Sequence, residues 1–177
     1  SNTIVLFTSD NGPERNTPGT AAPLRGTKHT VFEGGLRVPF LAWGPGRVPA
    51  GRVCGEFVAG LDILPTLAEL CGGASPAERA ADGSSFAPLL LGREGARSPR
   101  RSLFALYGLN KRRQQSMRDG PWKLHLDPSP QLYNLDADLG ETNDVAAAHA
   151  DIVARLAALA AGIRAEPVGR SEEHTSE

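Results

Sequence analysis

The chain opens on an unbroken apolar run. Ile4-Val5-Leu6-Phe7 gives way abruptly to Thr8-Ser9-Asp10-Asn11-Gly12. That pattern predicts a strand over residues 3–8 buried on both faces, as in a parallel sheet covered by helices. Residues 11–23 are Gly-, Pro-, Asn- and Thr-rich and without period, a long loop of the kind that is often functional. A second apolar strand is expected at 38–43, closed by Gly44-Pro45-Gly46. Asp62 then starts a helix that carries Leu64, Leu67, Ala68 and Cys71 on one stripe and stops at Gly72-Gly73. Pro65 falls in its first turn, where a missing N–H costs least.

Residues 74–101 read as a connector with one short apolar turn at 86–91. Beyond it the period changes. Short strands are predicted at 103–109, 114–118, 122–126 and 131–135, separated by turn residues such as Asp119-Gly120, which makes an antiparallel meander. Asn143 or Asp144 opens a last helix with Val145, Ile152, Val153, Leu156, Leu159 and Ile163 on one side, expected to lie across that sheet. The organisation is therefore residues 1–101, an α/β part with its connector; 102–169, a sheet-plus-helix part; and 170–177, a tail of different character. Arg170-Ser171-Glu172-Glu173-His174-Thr175-Ser176-Glu177 resembles the in-frame translation of a sequencing-library adapter and is read as non-native. The start on a strand without Met leads us to expect a fragment of a longer protein.

Composition narrows the classes without choosing one. At 177 residues, 40% hydrophobic and 22% charged, the chain is globular rather than disordered, and a net charge of −1 gives no reason to expect a nucleic-acid partner. No stretch approaches the ~20 apolar residues of a membrane span. Cys54 and Cys71 form no C-x-x-C spacing; they are two thiols or one bridge.

Candidate chemistry begins at Asp10-Asn11-Gly12. An acid beside an amide supplies hard oxygen ligands for Ca²⁺ or Mg²⁺, at the carboxyl end of a strand where α/β folds gather ligands. Asn-Gly is equally a tight-turn dipeptide. Downstream, Lys28 is a point charge able to neutralise a sulfate or phosphate oxygen, or else an exposed loop charge, and His29 beside it is a loop residue or a weaker candidate.

Taken in order, FTSDNG, PLRGTKHTVFEGGLRVPFLAWGPG, VAGLDILPTLAELCGG, DGSSFAPLLLG, WKLHL and QLYNLDADLGETNDVA closely resemble the sulfatase family of the alkaline-phosphatase-like superfamily. The resemblance runs over residues 3–165. It implies an α/β fold: the C-terminal part of an alkaline-phosphatase-like sandwich with a mostly parallel sheet and flanking helices, plus a small antiparallel four-stranded sheet packed by a C-terminal helix. It implies that Asp10 and Asn11 are the second pair of ligands of a divalent ion, usually Ca²⁺ and alternatively Mg²⁺, and that Lys28 contacts the sulfate in catalysis and binding. Glu33-Gly34-Gly35 and Arg37 match segments that shape the site and are given structural roles first. His29 stands where the family has a small residue, so it touches substrate or points to solvent.

The family's nucleophile, a formylglycine made from Cys or Ser in C/S-x-P/A-x-R, and a first pair of Asp ligands should lie upstream of Asp10. Ser75-Pro76-Ala77-Glu78-Arg79 fits the pattern formally but lies downstream of the helix and is read as chance. The expected function is that of a sulfatase fragment, inert alone, whose full protein hydrolyses an aryl or carbohydrate O-sulfate in the periplasm or outside the cell. The alternatives are a related phosphoester or phosphonate hydrolase and a non-catalytic paralogue that binds sulfated glycans. Its partners are sulfated small molecules or glycans.

Overall fold

The computed structural model describes residues 2–73, 82–108 and 113–165. The candidate motif Ser75 to Arg79 and the tail at 170–177 lie outside them. Element order is β1 (Val5–Thr8), α1 (Glu33–Leu36), β2 (Phe40–Trp43), α2 (Ile63–Leu70), α3 (Ala87–Leu90), β3 (Ser102–Tyr107), β4 (Gln114–Asp119), β5 (Trp122–His125), β6 (Gln131–Asn134) and α4 (Ala150–Ala165). The mixed α/β character and the four-stranded sheet packed by a C-terminal helix are as expected.

The pairing of β1 differs from the expectation. β1 and β2 form a two-stranded antiparallel sheet, with Val5 opposite Trp43 and Phe7 opposite Leu41; no parallel pair occurs among the described residues. Ile4, Leu6, Phe40 and Ala42 cover the cluster of Phe86, Leu89 and Leu90 contributed by the connector and α3. The opposite face, Val5, Phe7, Leu41 and Trp43, is open, with Phe7 66% and Trp43 57% exposed. A uniformly apolar run thus shows a period of two in burial, because the described residues supply a cover on one side only.

Helix α2 is also rotated from its predicted orientation. Leu64, Leu67 and Cys71 point outward, and the inward positions are Ile63, Thr66 and Leu70. Polar anchors set this rotation. The Thr66 hydroxyl donates to the Asp62 carbonyl (2.6 Å) and accepts from the Phe86 N–H (3.0 Å). The fully buried Asp62 carboxylate accepts from the Ala59 and Ser84 N–H groups (2.9 Å each) and from Arg100, Nη2 to Oδ1 at 2.6 Å and Nε to Oδ2 at 2.8 Å. Burial pushes the Asp62 carboxyl up, but the Arg100 fork and the two backbone donors outweigh it and hold it below its usual value.

The four strands β3-β4-β5-β6 form an antiparallel meander, with Met117 opposite Leu124 and Leu124 opposite Leu132. These three side chains, fully buried with Leu156 and Ala160 of α4, form the core of this part. Asp144 does not cap α4 itself. Its Oδ1 accepts from the Leu132 and Ala146 N–H groups and so fastens a 3-10 turn at Ala146–Ala148 to β6, one turn before α4 begins. Ile152, Val153 and Leu156 face the sheet as expected. Leu159 and Ile163 sit on the flank, each 41% exposed, with Ala160 taking the inward place.

On this packing, Leu156→Ala should cost about 2–5 kcal/mol through lost contacts and an unfilled cavity. Leu159→Ala should cost less than about 1 kcal/mol. Urea unfolding midpoints of the two variants check the difference, and equal losses would contradict the assigned face of α4.

Candidate active site

Gly12 fixes the position of the Asp10-Asn11 turn. Its N–H donates to the Gly35 carbonyl (2.9 Å), and a Cβ at this position would stand 1.8 Å from the Gly34 oxygen. Only glycine permits that approach. The Pro13 carbonyl next accepts from the Lys28 N–H at 2.9 Å. Two backbone hydrogen bonds therefore bring the end of β1, the Lys28 segment and α1 into one neighbourhood.

Lys28 and His29 are the two central residues of a tight turn. The Thr30 N–H donates to the Thr27 carbonyl (3.2 Å), and the Thr30 hydroxyl donates to the same oxygen (2.7 Å). His29 has φ +71°. Turns closed this way with φ above zero at the third residue are glycine turns by default. A histidine there costs on the order of 1 kcal/mol. Its ring stacks on Tyr107 with centroids 5.2 Å apart, and its carbonyl accepts from Gln114 Nε2 (3.3 Å).

The side chains of the predicted site are placed differently from one another. Asp10 is exposed and Asn11 half-buried, and neither side chain makes a hydrogen bond or ion pair among the described residues. Both oxygens are thus unencumbered hard donors. Lys28 Nζ lies 3.6 Å from Glu14 Oε2, with the side chains 39% and 46% exposed. Such a surface pair is worth about 0–1 kcal/mol, so an anion can displace Glu14 from the ammonium. Among the described residues no group of three or more His, Cys, Asp or Glu side chains is placed to hold a metal ion. Asp10 and Asn11 match a hard divalent cation in donor chemistry, and two such residues would furnish only part of the six to eight oxygens that Ca²⁺ takes.

The sequence reading missed a buried charge network behind the turn. Lys123 Nζ lies 2.8 Å from Glu33 Oε1 and 3.0 Å from Glu141 Oε1, with all three side chains buried. Glu141 also accepts from the Glu33 N–H (2.6 Å) and from His125 Nε2 (2.7 Å). An ionised carboxylate only accepts, so that ring nitrogen carries the hydrogen. Burial pushes the Glu141 carboxyl up, but the His125 hydrogen bond, the Lys123 charge and the Glu33 N–H together hold it below the ordinary glutamate value. Arg118 approaches Glu33 Oε2 at 3.7 Å. Arg25 Nη1 donates to the Glu141 carbonyl (2.8 Å), and its guanidinium lies 4.2 Å over the Phe32 ring.

These contacts give the meander a second working face. Arg118 is paired with Lys123 across β4 and β5, and Tyr107 with Gln114 across β3 and β4. The period of two that sends Met117 and Leu124 toward α4 sends Arg118, Lys123, His125 and Tyr133 toward residues 25–33. In WKLHL the alternation is visible as Trp-Lys-Leu-His-Leu. A polar strand face ordinarily signals solvent, and nothing local reveals that Glu33 and Glu141 cover it. The structural role expected of Glu33-Gly34-Gly35 is supported by this geometry.

The alkaline-phosphatase-like class follows from this fold and from solved structures that share it. The crystal structure of Ps i-CgsB superposes with a TM-score of 0.83 at 27% identity, over 90% of this chain and 36% of that one. The phosphonate monoester hydrolase of Agrobacterium radiobacter does so at 0.65 and 25% identity, over 92% and 35%. Residues 1–74 match the family described as Sulfatase. The chain is 38% identical to human arylsulfatase A over 168 residues, 78% of this chain and 32% of that protein. It is 44% identical to the N-acetylgalactosamine-6-sulfatase of Canis lupus familiaris over 95 residues, 51% and 18%. Over these stretches the chain is similar to members of the sulfatase family, whose model matches its first 74 residues. It spans about a third or less of the length of these curated relatives.

The network makes a signed pH prediction. A carboxyl held below its unfolded value of 4.5 contributes stability that is present above that pH and is lost as pH falls through the folded value. Glu141→Gln should therefore lower stability at pH 7 and flatten the acid limb of a stability–pH curve, measured by urea unfolding from pH 7 to 3. An acid limb as steep as the parent's would refute the assignment. Lys123→Met, which strands two buried carboxylates, should cost about 3–5 kcal/mol at pH 7.

Proposed function

We propose that the whole protein to which this chain contributes hydrolyses sulfate esters, aryl or carbohydrate, and that this chain supplies one side of its active site. The observation that carries the reading is the Lys28 turn hydrogen-bonded to the segment that follows Asp10-Asn11. That bond ties the Lys28 segment to the residues just after Asp10 and Asn11, whose side-chain oxygens make no hydrogen bond among the described residues. An anionic ester repels a nucleophile unless its charge is offset, and both features serve that need.

In this reading Asp10 and Asn11 hold a divalent cation, Ca²⁺ or Mg²⁺, completed by ligands outside this chain. Lys28 leaves Glu14 and binds a sulfuryl oxygen. A bound divalent ion would supply Lewis-acid withdrawal of charge, and a formylglycine outside this chain would supply the nucleophile. The open apolar face of Val5, Phe7, Leu41 and Trp43 offers a seat for the rest of that larger catalytic part. Among the described residues no helix is long and apolar enough to cross a membrane. By family resemblance the protein works in the periplasm or outside the cell.

A related phosphonate hydrolase is the second reading, favoured by the superposition on such an enzyme. The whole protein, assayed side by side on 4-nitrophenyl sulfate and phenyl phosphonate esters, separates the two. Faster turnover of the sulfate is expected, abolished by EDTA and restored by Ca²⁺ or Mg²⁺. Asp10→Ala should remove bound metal, measured by elemental analysis, and Lys28→Ala should lower kcat/KM by about 10²–10³. Preferred phosphonate turnover, or full metal content in Asp10→Ala, would sink the sulfatase assignment or the ligand assignment respectively.

A further inference from the structure

We propose that His29 is a specificity residue for a ring-bearing leaving group, held in place by the sheet residues Tyr107 and Gln114. The proposal rests on the reading of Lys28 as the sulfate contact and deepens it. It names the shape of the group that the sulfate is attached to.

Three independent observations meet at this residue. His29 occupies the third position of the Thr27–Thr30 turn with φ +71°, a conformation for which glycine is the unstrained choice. The turn itself gives no reason for an imidazole there, and local strain is characteristically retained where a side chain has work to do. Second, the ring is not left to wander. It stacks on Tyr107 at 5.2 Å with 27° between planes, and Gln114 Nε2 holds the His29 carbonyl. Tyr107 and Gln114 are directly paired across β3 and β4, so one ladder rung grips both the ring and the backbone. Third, the stack stays accessible: His29 is exposed and Tyr107 is 40% exposed.

Lys28 and His29 are consecutive apex residues, and on this proposal an ester whose sulfate meets Lys28 sets its alcohol portion beside the imidazole. A flat imidazole backed by a phenol is a surface for a flat partner. The chemistry it fits is the face of a ring, either an aryl ring or the C–H face of a pyranose, in preference to an open alkyl chain. His29 touches the leaving group, whereas Tyr107 acts through His29 and is a positioning residue.

The experiment uses the whole protein and three substrates: 4-nitrophenyl sulfate, glucose 6-sulfate and propyl sulfate, the last without a ring. The readout is the ratio of kcat/KM for each ring-bearing ester to that for propyl sulfate. His29→Gly, which relieves the backbone strain, and Tyr107→Ala should each lower this ratio by about three- to tenfold, the size of one stacking contact, and the loss should appear in KM. Tyr107→Phe should restore it. The ester with the larger fall identifies the ring, aryl or pyranose. A purely structural role would scale all three substrates together. An unchanged ratio in His29→Gly would overturn the proposal. Lys28→Ala serves as the separate control: it should depress ring-bearing and ring-free esters alike, and if it depresses neither, the sulfate-contact reading fails by a result distinct from the ratio.

Discussion

The arrangement of this chain turns on a charge that is expensive to bury. Lys123 is taken out of water in the middle of β5, and it is tolerable there only because Glu33 and Glu141 arrive at 2.8 and 3.0 Å from elsewhere in the sequence. Glu33 comes from α1, next to the candidate active-site turn, and Glu141 from the loop after β6. Each is separately constrained. The Glu33 N–H is tied to the Glu141 carboxylate, and Glu141 itself adopts φ +52°, a conformation that a side chain takes only when its surroundings repay it. Such a network is a poor source of net stability compared with an apolar core. It specifies register, since a slip of one residue in β5 would send Lys123 into the apolar core on the other face.

That constraint gives the two faces of the meander different tasks. One face, Met117, Leu124 and Leu132 under α4, supplies the burial that holds the sheet together. The other is a polar backing plate for residues 25–33. Arg25 and Phe32 stack there, with Phe32 4.4 Å from His125, and at the far edge Tyr107 and Gln114 hold His29. The turn carrying Lys28 is accordingly held through its backbone and through His29, while the ammonium meets the exposed Glu14 carboxylate. That combination suits the sulfate contact proposed for Lys28, because preorganised charge costs no reorganisation when a substrate arrives.

Much of this was legible in the sequence where the signal is local. The four strands of the meander and their turns follow from short alternating runs and turn residues, with strand boundaries that differ by a residue or two; α4 was legible too, but it begins at Ala150 rather than at Asn143 or Asp144. The ordered motifs, rather than spacing, set Asp10-Asn11 and Lys28 in one expected site, and the backbone bonds from Lys28 to Pro13 and from Gly12 to Gly35 join their segments. What failed shares one cause. The faces of α2, the outward set of Leu159 and Ile163, and the open side of β1 all depend on which neighbour is present, and apolar periodicity names a face without naming its cover. For α2 the decision fell to Asp62 and Thr66, whose bonds to Arg100, Ser84 and Phe86 cross from 20 to 38 residues of chain. The buried charges were invisible for the same reason, since a strand with Lys123 and His125 on one side is indistinguishable from one facing water until Glu33 and Glu141 are placed.

The uncovered face of the β1–β2 pair is the counterpart of the covered one. Val5, Phe7, Leu41 and Trp43 form two cross-strand pairs of large apolar side chains, a surface that a soluble fold does not ordinarily leave to water. The same strand delivers Asp10 and Asn11 two residues beyond its end. A surface packed on that face would therefore come close to Asp10 and Asn11, whose side chains make no hydrogen bond or ion pair among the described residues. The described residues thus pair two unlike surfaces: the meander backs residues 25–33 through Lys123 and Gln114, and the open apolar face of the β1–β2 pair leads into the Asp10-Asn11 turn.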